Sequence, residues 1–476
     1  MAMVGRERER DELQRYCEST RPEFIVVYGR RRVGKTFLVR EYFNYTFAFY
    51  ATGTVGGNMH DQLRAFHGFL HENGDSHIDV PTDWLEAFSR LRALLEGDKV
   101  RRDPACGKRV VFIDEMPWLD TPRSNFKQAL DLFWNGWAST QKDLLLIVCG
   151  SATSWIIRNL LRSRGGLHNR ITGRLHLRPF TLAECEKYYD INGITFSRQE
   201  MVEGYMVFGG IPFYLDLIDR RLSLSQNVDR ICFAPDGALR EEFDELYRSS
   251  FKNAERHIAI VRALNQRKAG CSRKEIIEKS GMGAGGTLSK ALEELEQCGF
   301  IRRYRDFTKR ERGAIYQLID PFTLFYLRFM EGRLEGEGAW EAYLGTPGYH
   351  AWSGLAFEMT CLLHERQLKQ ALGIQAIASS TSAWRSSAPG SKAQIDLLID
   401  RADGVVNACE MRYSQAPFVI GKALDAELRE RIADFRAETG TKKAVRLTMV
   451  CPYGVKRNKY WGAVQNEITF EDLFRP

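Results

Sequence analysis

The sequence predicts a multidomain α/β protein whose first domain is a parallel sheet flanked by helices. Three observations predict it. The chain has 476 residues, more than one ordinary hydrophobic core holds, so roughly two to four domains are expected. Short apolar runs, FIVVY at Phe24–Tyr28, VVFI at Val110–Ile113 and a later LLLIVCG, read as strands buried on both faces. The first of these runs straight into a glycine-rich loop and then a helical stretch, an order that makes a phosphate cradle.

Composition narrows the class. The chain is 44% hydrophobic and 27% charged, as a globular protein is. The opening MAMVGRERERDEL is charged from the start, so no signal peptide is expected. The apolar runs are far too short for a membrane span. Ten cysteines are scattered without a CxxC pair or a metal-ligand spacing. They read as reduced thiols of a cytoplasmic protein. The net charge is +7. Residues Glu255–Arg312 hold 14 Lys/Arg against 8 Asp/Glu, a balance of +6, which leaves +1 for the rest. Such a local excess points to a polyanion partner, or to a solvated basic surface.

The phosphate cradle is Gly29-Arg30-Arg31-Arg32-Val33-Gly34-Lys35-Thr36, which fits GxxxxGK[ST] at every fixed position, with Phe37 opening the helix that follows. The glycines let backbone N–H groups face phosphate, and the helix N-terminus adds its dipole. Lys35 is expected on the β- and γ-phosphates of ATP and Thr36 on Mg²⁺. About 80 residues on, RVVFIDEMPWLD ends a strand in Asp114-Glu115. Asp114 is the expected Mg²⁺ partner, and Glu115 is placed to polarise water. A third strand, DLLLIVCGSATSWI, ends in Ser151 and Thr153. Either hydroxyl would sense the γ-phosphate; the alternative is a helix cap.

These residues resemble the STAND and archaeal-type P-loop ATPases of the AAA+ superfamily. The resemblance covers the first half of the chain. Met3–Glu9 matches the family's hhGRExE pattern, which places Gly5 and Arg6 near the adenine. FGGIPFYL resembles the GxP element of the helical lid, with Pro212 at the proline position. LHNRITGRLHLRPFTLAE resembles the stretch before the lid and makes Arg170 and Arg174 candidates for γ-phosphate contact, Arg170 first.

The basic middle reads as three helices and two strands. ERHIAIVRALNQRK spaces Ile258, Val261 and Leu264 helically; SRKEIIEKSG starts on a serine cap and stops at Gly281; GTLSKALEELEQCG aligns Leu288, Leu292 and Leu295. FIRRYRDFTKRERGAIYQLID follows as two strands around a charged turn. This order resembles a winged helix-turn-helix, which implies DNA as a partner, touched by Lys290 on the third helix and by Arg302, Arg303 and Arg305 on the wing. Glu293, Glu294 and Glu296 on the same helix repel phosphate unless they face away. DPFTLFYLRFME reads as a packing helix.

In the last third, Glu358 sits in a helix, and QIDLLIDRADGVVNACEMR reads as a hairpin turning at Ala402-Asp403-Gly404. Pairing Asp400 with Val406 and counting back sets Asp396 opposite Glu410, with Arg412 on the face of Glu410. Two facing carboxylates call for a proton, a cation or a basic partner. The order Glu358, Asp396, Glu410 resembles the PD-(D/E)xK, restriction-endonuclease-like fold. That resemblance implies Mg²⁺ and hydrolysis of a phosphodiester. Arg412 stands where that family has lysine, and arginine cannot serve as a base.

The module order predicts an ATPase domain over 1–182, a helical lid over 183–250, a winged helix over 251–330 and a nuclease-like α/β domain over 331–476. The expected activity is ATP hydrolysis coupled to DNA binding, with Mg²⁺-dependent cutting as an added output. The alternative is a nucleotide-controlled switch that binds DNA or protein through an inactive nuclease-like domain. The resemblance brings self-association into a homo-oligomer as a further option, and no membrane partner is expected.

Overall fold

The computed structural model describes every residue except 1, 2, 163–165, 167, 168, 306, 308–312, 333–335, 337 and 392. The charged turn expected in the wing falls on 306–312 and lies almost wholly outside the described residues. The chain forms two compact units, one of residues 1–178 with 249–252, the other of 179–248 with 253–476.

In the first unit, α1 (Glu7–Glu18) precedes β1 (Glu23–Tyr28), α2 (Lys35–Tyr42) and β2 (Phe49–Thr52). Helices α3 (Met59–Glu72) and α4 (Trp84–Glu96) lead to β3 (Arg109–Asp114); α5 (Phe126–Gly136) then leads to β4 (Leu144–Gly150), and the short α6 (Thr153–Ile156) to β5 (Gly173–His176). The strands form one parallel sheet in the order β2-β3-β4-β1-β5. β1, β3 and β4 are buried along almost their whole length, which is why they are unbroken apolar runs. On one face Phe24, Phe49, Phe66, Trp84, Phe88 and Phe126 interlock, with the Trp84 and Phe126 rings 4.9 Å apart. β4 lies between β1 and β3, so the loops after all three strands open at one edge of the sheet. Ligands of open α/β sheets bind beyond such carboxyl ends.

The second unit begins with helices α7 (Leu182–Asn192), α8 (Arg198–Phe208), α9 (Pro212–Asp216), α10 (Leu224–Val228) and α11 (Glu242–Ser250), the last of which runs on into the first unit's 249–252. Reciprocal Thr181–Glu184 and Ser197–Glu200 capping boxes start α7 and α8. Next come α12 (Ala254–Asn265), β6 (Cys271–Ser272), α13 (Arg273–Ser280), α14 (Gly286–Gln297), β7 (Ile301–Arg305) and β8 (Ala314–Leu318), with an antiparallel sheet in the order β6-β8-β7. Ser272 and Glu275 form the capping box of α13, and Gly281 ends it at φ 69°. The apolar segment after Asp320 is buried as α15 (Pro321–Phe325) and the turn that continues it. α16 (Ala339–Tyr343), α17 (Pro347–Leu363) and α18 (Glu365–Ala371) then lead into the last sheet.

That sheet runs β13-β12-β11-β10-β9, from β9 (Ser379–Arg385), β10 (Gln394–Arg401), β11 (Val405–Met411), β12 (Ala444–Val450) and β13 (Asn466–Ile468). β9, β10 and β11 are antiparallel; β12 and β13 run parallel to β11, after the crossover helix α19 (Lys422–Thr439). The hairpin pairs Asp400 with Val406 and Leu397 with Cys409, the register expected from the turn, with Gly404 at φ 83°. The β9–β10 pairing shifts by one between Ile395 and Leu398, a bulge beside Asp396.

His364, between α17 and α18, ties this half of the unit to α7. It is wholly buried. Its Nε2 accepts the Leu182 N–H at 2.9 Å, so Nδ1 carries the proton and donates to Thr360 O at 2.7 Å. The Tyr205 ring of α8 meets the imidazole edge-on at 5.0 Å. Burial lowers the imidazole to about 4, against about 6.5 in an open chain. The fold holds the neutral form, so this contribution is complete above pH 6.5 and is lost as pH falls towards 4. It amounts to about 3 kcal/mol at most. In urea titrations from pH 7 to 4, the His364→Gln protein is expected to show a flatter fall in the second unit's midpoint than the parent.

Candidate functional site

The phosphate loop follows from its sequence. Gly29 takes φ 150° and packs so closely on the chain that an added Cβ would stand 2.2 Å from Leu177 O. Arg32 and Gly34 turn the loop at φ 70° and 88°, and Gly34 caps α2 with open space where a Cβ would point. Arg30 and Val33 are buried, Arg31 and Arg32 are half-buried, and Phe37 is exposed. Lys35 is buried inside the loop, its Nζ donating to Gly29 O at 3.0 Å and Arg30 O at 2.9 Å. Thr36 Oγ1 donates to Asp114 Oδ2 at 2.8 Å. The two halves of the sequence pattern therefore meet, one from the start of α2 and one from the end of β3.

Asp114 is buried and fully engaged. Its Oδ1 accepts the Glu115 N–H at 2.9 Å and the Cys149 thiol at 2.7 Å. Burial and the Asp114 charge push the Cys149 thiol well up, which keeps it protonated as a donor. Glu115 adopts a left-handed backbone, φ 42° and ψ 40°, a strained conformation for a residue with a side chain. Its Oε2 accepts from Ser151 N at 3.1 Å and Ser151 Oγ at 2.9 Å. Of the two hydroxyls expected near the γ-phosphate, Ser151 thus holds the acid. Thr153 Oγ1 is buried without a hydrogen-bond partner among the described residues. Arg6 is buried at φ 62° after Gly5 at φ 65°, and its guanidinium donates to Val33 O at 3.0 Å. It therefore braces the phosphate loop from α1. Arg170 is exposed in the turn before β5 and Arg174 is exposed on that strand. Pro212 opens α9, in the second unit.

Residues 3–218 match the family model described as an ATPase domain predominantly from Archaea. The match takes in most of the first unit and the helices that open the second. The chain is also 25% identical over 365 residues to Uncharacterized protein MJECL04 of Methanocaldococcus jannaschii, an alignment that covers 75% of each protein. Among solved structures, it is similar to the Walker-type ATPase PABY2304 of Pyrococcus abyssi (21% identity, TM-score 0.46, covering 68% of this chain and 96% of that one). It is similar too to the ORC2 protein of Aeropyrum pernix (14% identity, TM-score 0.40, 72% and 96%).

Within the ATPase domain, two contacts escaped the motif reading: Cys149 on Asp114, and Arg6 on the loop. The first follows from strand order, because β4 abuts β3 and its last residues reach the acids. In the second unit the wing residues divide. Arg303 and Arg305 are exposed, whereas Arg302 is turned inward. Arg302 Nε donates to Gln317 Oε1 at 2.7 Å and Nη2 to Asp396 O at 3.2 Å, and the guanidinium lies over the Tyr304 ring at 4.6 Å. This corrects the expectation that Arg302 meets phosphate beside the other two. Lys290 is exposed, 3.9 Å from Glu294, which in turn meets His257 at 3.0 Å. Glu293 and Glu296 face outward on the same helix.

The second unit's acids are gathered at β10 and β11. Burial pushes Glu358 well up, and Asp396 adds to it; Asp396 itself is raised by burial and then by Glu410. Gln317 reaches Glu358 at 3.4 Å and Gln394 reaches Asp396 at 3.2 Å. Glu410 is held by two guanidiniums, Arg412 at 2.6 Å and Arg431 at 2.5 Å. Arg431 comes from α19, where Lys422 is exposed and Arg429 pairs with Asp425. Among the described residues, no group of three or more His, Cys, Asp or Glu side chains is placed to hold a metal ion.

The ATPase domain gives a sharp test of the loop. Gly29→Ala would drive a methyl group into Leu177 O at a φ that alanine avoids. The variant is expected to lose nucleotide binding by about tenfold or more and to melt earlier, measured by fluorescent-nucleotide titration and calorimetry.

Proposed function

We propose that the chain binds ATP with Mg²⁺ at the phosphate loop, hydrolyses it through Glu115, and uses nucleotide state to set DNA binding by its second unit. The observation that carries the nucleotide reading is the 2.8 Å contact of Thr36 with Asp114 beside the buried Lys35. A hydroxyl and a carboxylate are hard oxygen donors, the chemistry Mg²⁺ selects. Thr36 and Asp114 would hold the ion, which when bound neutralises phosphate charge. Lys35 exchanges its bonds to the Gly29 and Arg30 carbonyls for phosphate oxygens. Loop N–H groups and the start of α2 orient the triphosphate. Arg6 keeps Val33 in place and lies on the adenine side with Gly5. Glu115 accepts a proton from water once it leaves Ser151, and Arg170 meets the γ-phosphate, with Pro212 marking the helical lid.

Residues 254–318 act as a winged-helix module in this reading. The basic excess over Glu255–Arg312 and the outward Arg303 and Arg305 support DNA contact; Lys290 adds one more cation among acids. The β9–β13 domain is nuclease-like in its order of Glu358, Asp396, Glu410 and Arg412. The double guanidinium grip on Glu410 favours binding without cutting.

Two experiments test this. Lys35→Ala is expected to abolish ATP binding, while Glu115→Gln keeps it and loses turnover by about 10²-fold or more. Wild-type turnover in Glu115→Gln would remove Glu115 from the mechanism. For the second unit, Arg303→Ala/Arg305→Ala is expected to weaken DNA binding at every sequence and to lower the salt slope by about 0.9 per lost phosphate contact. Supercoiled plasmid with Mg²⁺ or Mn²⁺ is expected to stay intact. Nicking that disappears in Asp396→Ala would instead make the acid cluster a cutting site.

A further inference from the structure

A polar cavity of about 420 Å³ opens beside α1 and the turn ahead of β3. Arg10, Gln14, Tyr42 and Asp103 line it, together with two thiols, Cys17 and Cys106. Cys17 is 6% exposed, on the last turn of α1. Of the ten cysteines, Cys106 is the one that is not buried. The two side chains, 89 positions apart in sequence, face the same cavity, and each thiol shifts the other's titration. Their backbones are fixed. Asp103 Oδ1 accepts the Ala105 and Cys106 N–H groups at 3.1 and 2.9 Å, and Gly107 N donates to Asp103 O at 2.8 Å. Opposite, Tyr42 donates to Gln14 Oε1 at 2.7 Å. The thiols are unequal. Cys106 is made more acidic by the Cys17 thiol and then by the Lys108 backbone N–H, while Cys17 is raised.

We propose that Cys17 and Cys106 are a dithiol modification site that hydroperoxides close to a disulfide, joining α1 to the turn that leads into β3. Cys106 is the attacking sulfur, because it is half-buried where Cys17 is buried, and is the more acidic member. Its thiolate attacks one peroxide oxygen; an S–O bond forms, the O–O bond breaks, and the departing hydroxide or alkoxide takes up a proton. Cys17 sulfur then attacks the Cys106 sulfenic acid. The S–S bond forms, the S–O bond breaks, and hydroxide leaves as water with the Cys17 proton. The two thiols lose two electrons between them, and the peroxide gains both. The link bears on the nucleotide site from both sides. α1 begins beside Arg6, which braces Val33 of the phosphate loop, and the turn feeds β3, which ends at Asp114.

The test is peptide mapping of the full chain after hydrogen peroxide, quenching, denaturation and alkylation. Trypsin isolates Cys17 in residues 16–30 and Cys106 in 103–108. The expected result is one linked pair whose summed mass has lost two hydrogen atoms, which dithiothreitol separates, and which does not form when peroxide is added in urea. Cys17→Ser is expected to accumulate a dimedone-reactive sulfenic acid on Cys106, and Cys106→Ser none on Cys17. Both peptides recovered as free, alkylated thiols after peroxide would overturn the proposal. A sulfenic acid that accumulates on Cys17 in Cys106→Ser would overturn the assignment of the attacking sulfur.

Discussion

The first unit depends on one hydrogen bond between residues 78 positions apart, Thr36 to Asp114. It places a buried carboxylate at the end of β3 against the start of α2, beside a buried ammonium. Charges removed from water are tolerated only when their partners are supplied in full. The surroundings supply them: two loop carbonyls for Lys35, and a hydroxyl, a thiol and a backbone N–H for Asp114. The partners come from the loop after β1, the start of α2, and the ends of β3 and β4, so the parallel order β3-β4-β1 is what brings the set together. A site so fully bonded to itself is preorganised. Phosphate oxygens would replace carbonyls at Lys35 without rebuilding the loop.

The same reasoning separates the two acids after β3. Asp114 is locked by three donors from fixed elements. Among the described residues the Glu115 carboxylate is hydrogen-bonded by Ser151 alone, on a strained backbone. Hydrogen bonds to a charged acceptor contribute about 1.5–3 kcal/mol each. The two acids thus differ in bonding, although they are adjacent in sequence.

Much of this was legible in the chain. Glycine, lysine and threonine at fixed spacing announce the cradle, because each is required by backbone geometry or phosphate chemistry. The β10–β11 register followed from a three-residue turn, since pairing counts outward from a loop of known length. What was not legible depends on neighbours in space. Cys149 contacts Asp114 only because β4 is the strand inserted between β1 and β3. Arg431 reaches Glu410, on the middle strand β11, because the crossover helix α19 packs on the sheet. The misreading of Arg302 had a local remedy. Side chains alternate along a strand, so Arg303 and Arg305 share a face that Arg302 cannot. The burial of Tyr304 beside Arg302 follows the same alternation.

That alternation also explains how the acid cluster of the second unit is balanced. β7 turns Arg302 towards β10 and Tyr304 towards Arg385 of β9, and β8 sends Gln317 to Glu358, while Arg303 and Arg305 are exposed. Three carboxylates close enough to raise one another must be neutralised by protons or cations. Two of them are pushed towards the protonated state, and the third has two guanidiniums. An incoming divalent ion would have to displace the two guanidiniums from Glu410. Burial pushes Glu358 and Asp396 up and two guanidiniums hold Glu410, and this is the physical reason to read the cluster as a closed joint between the β7–β8 sheet and the last domain.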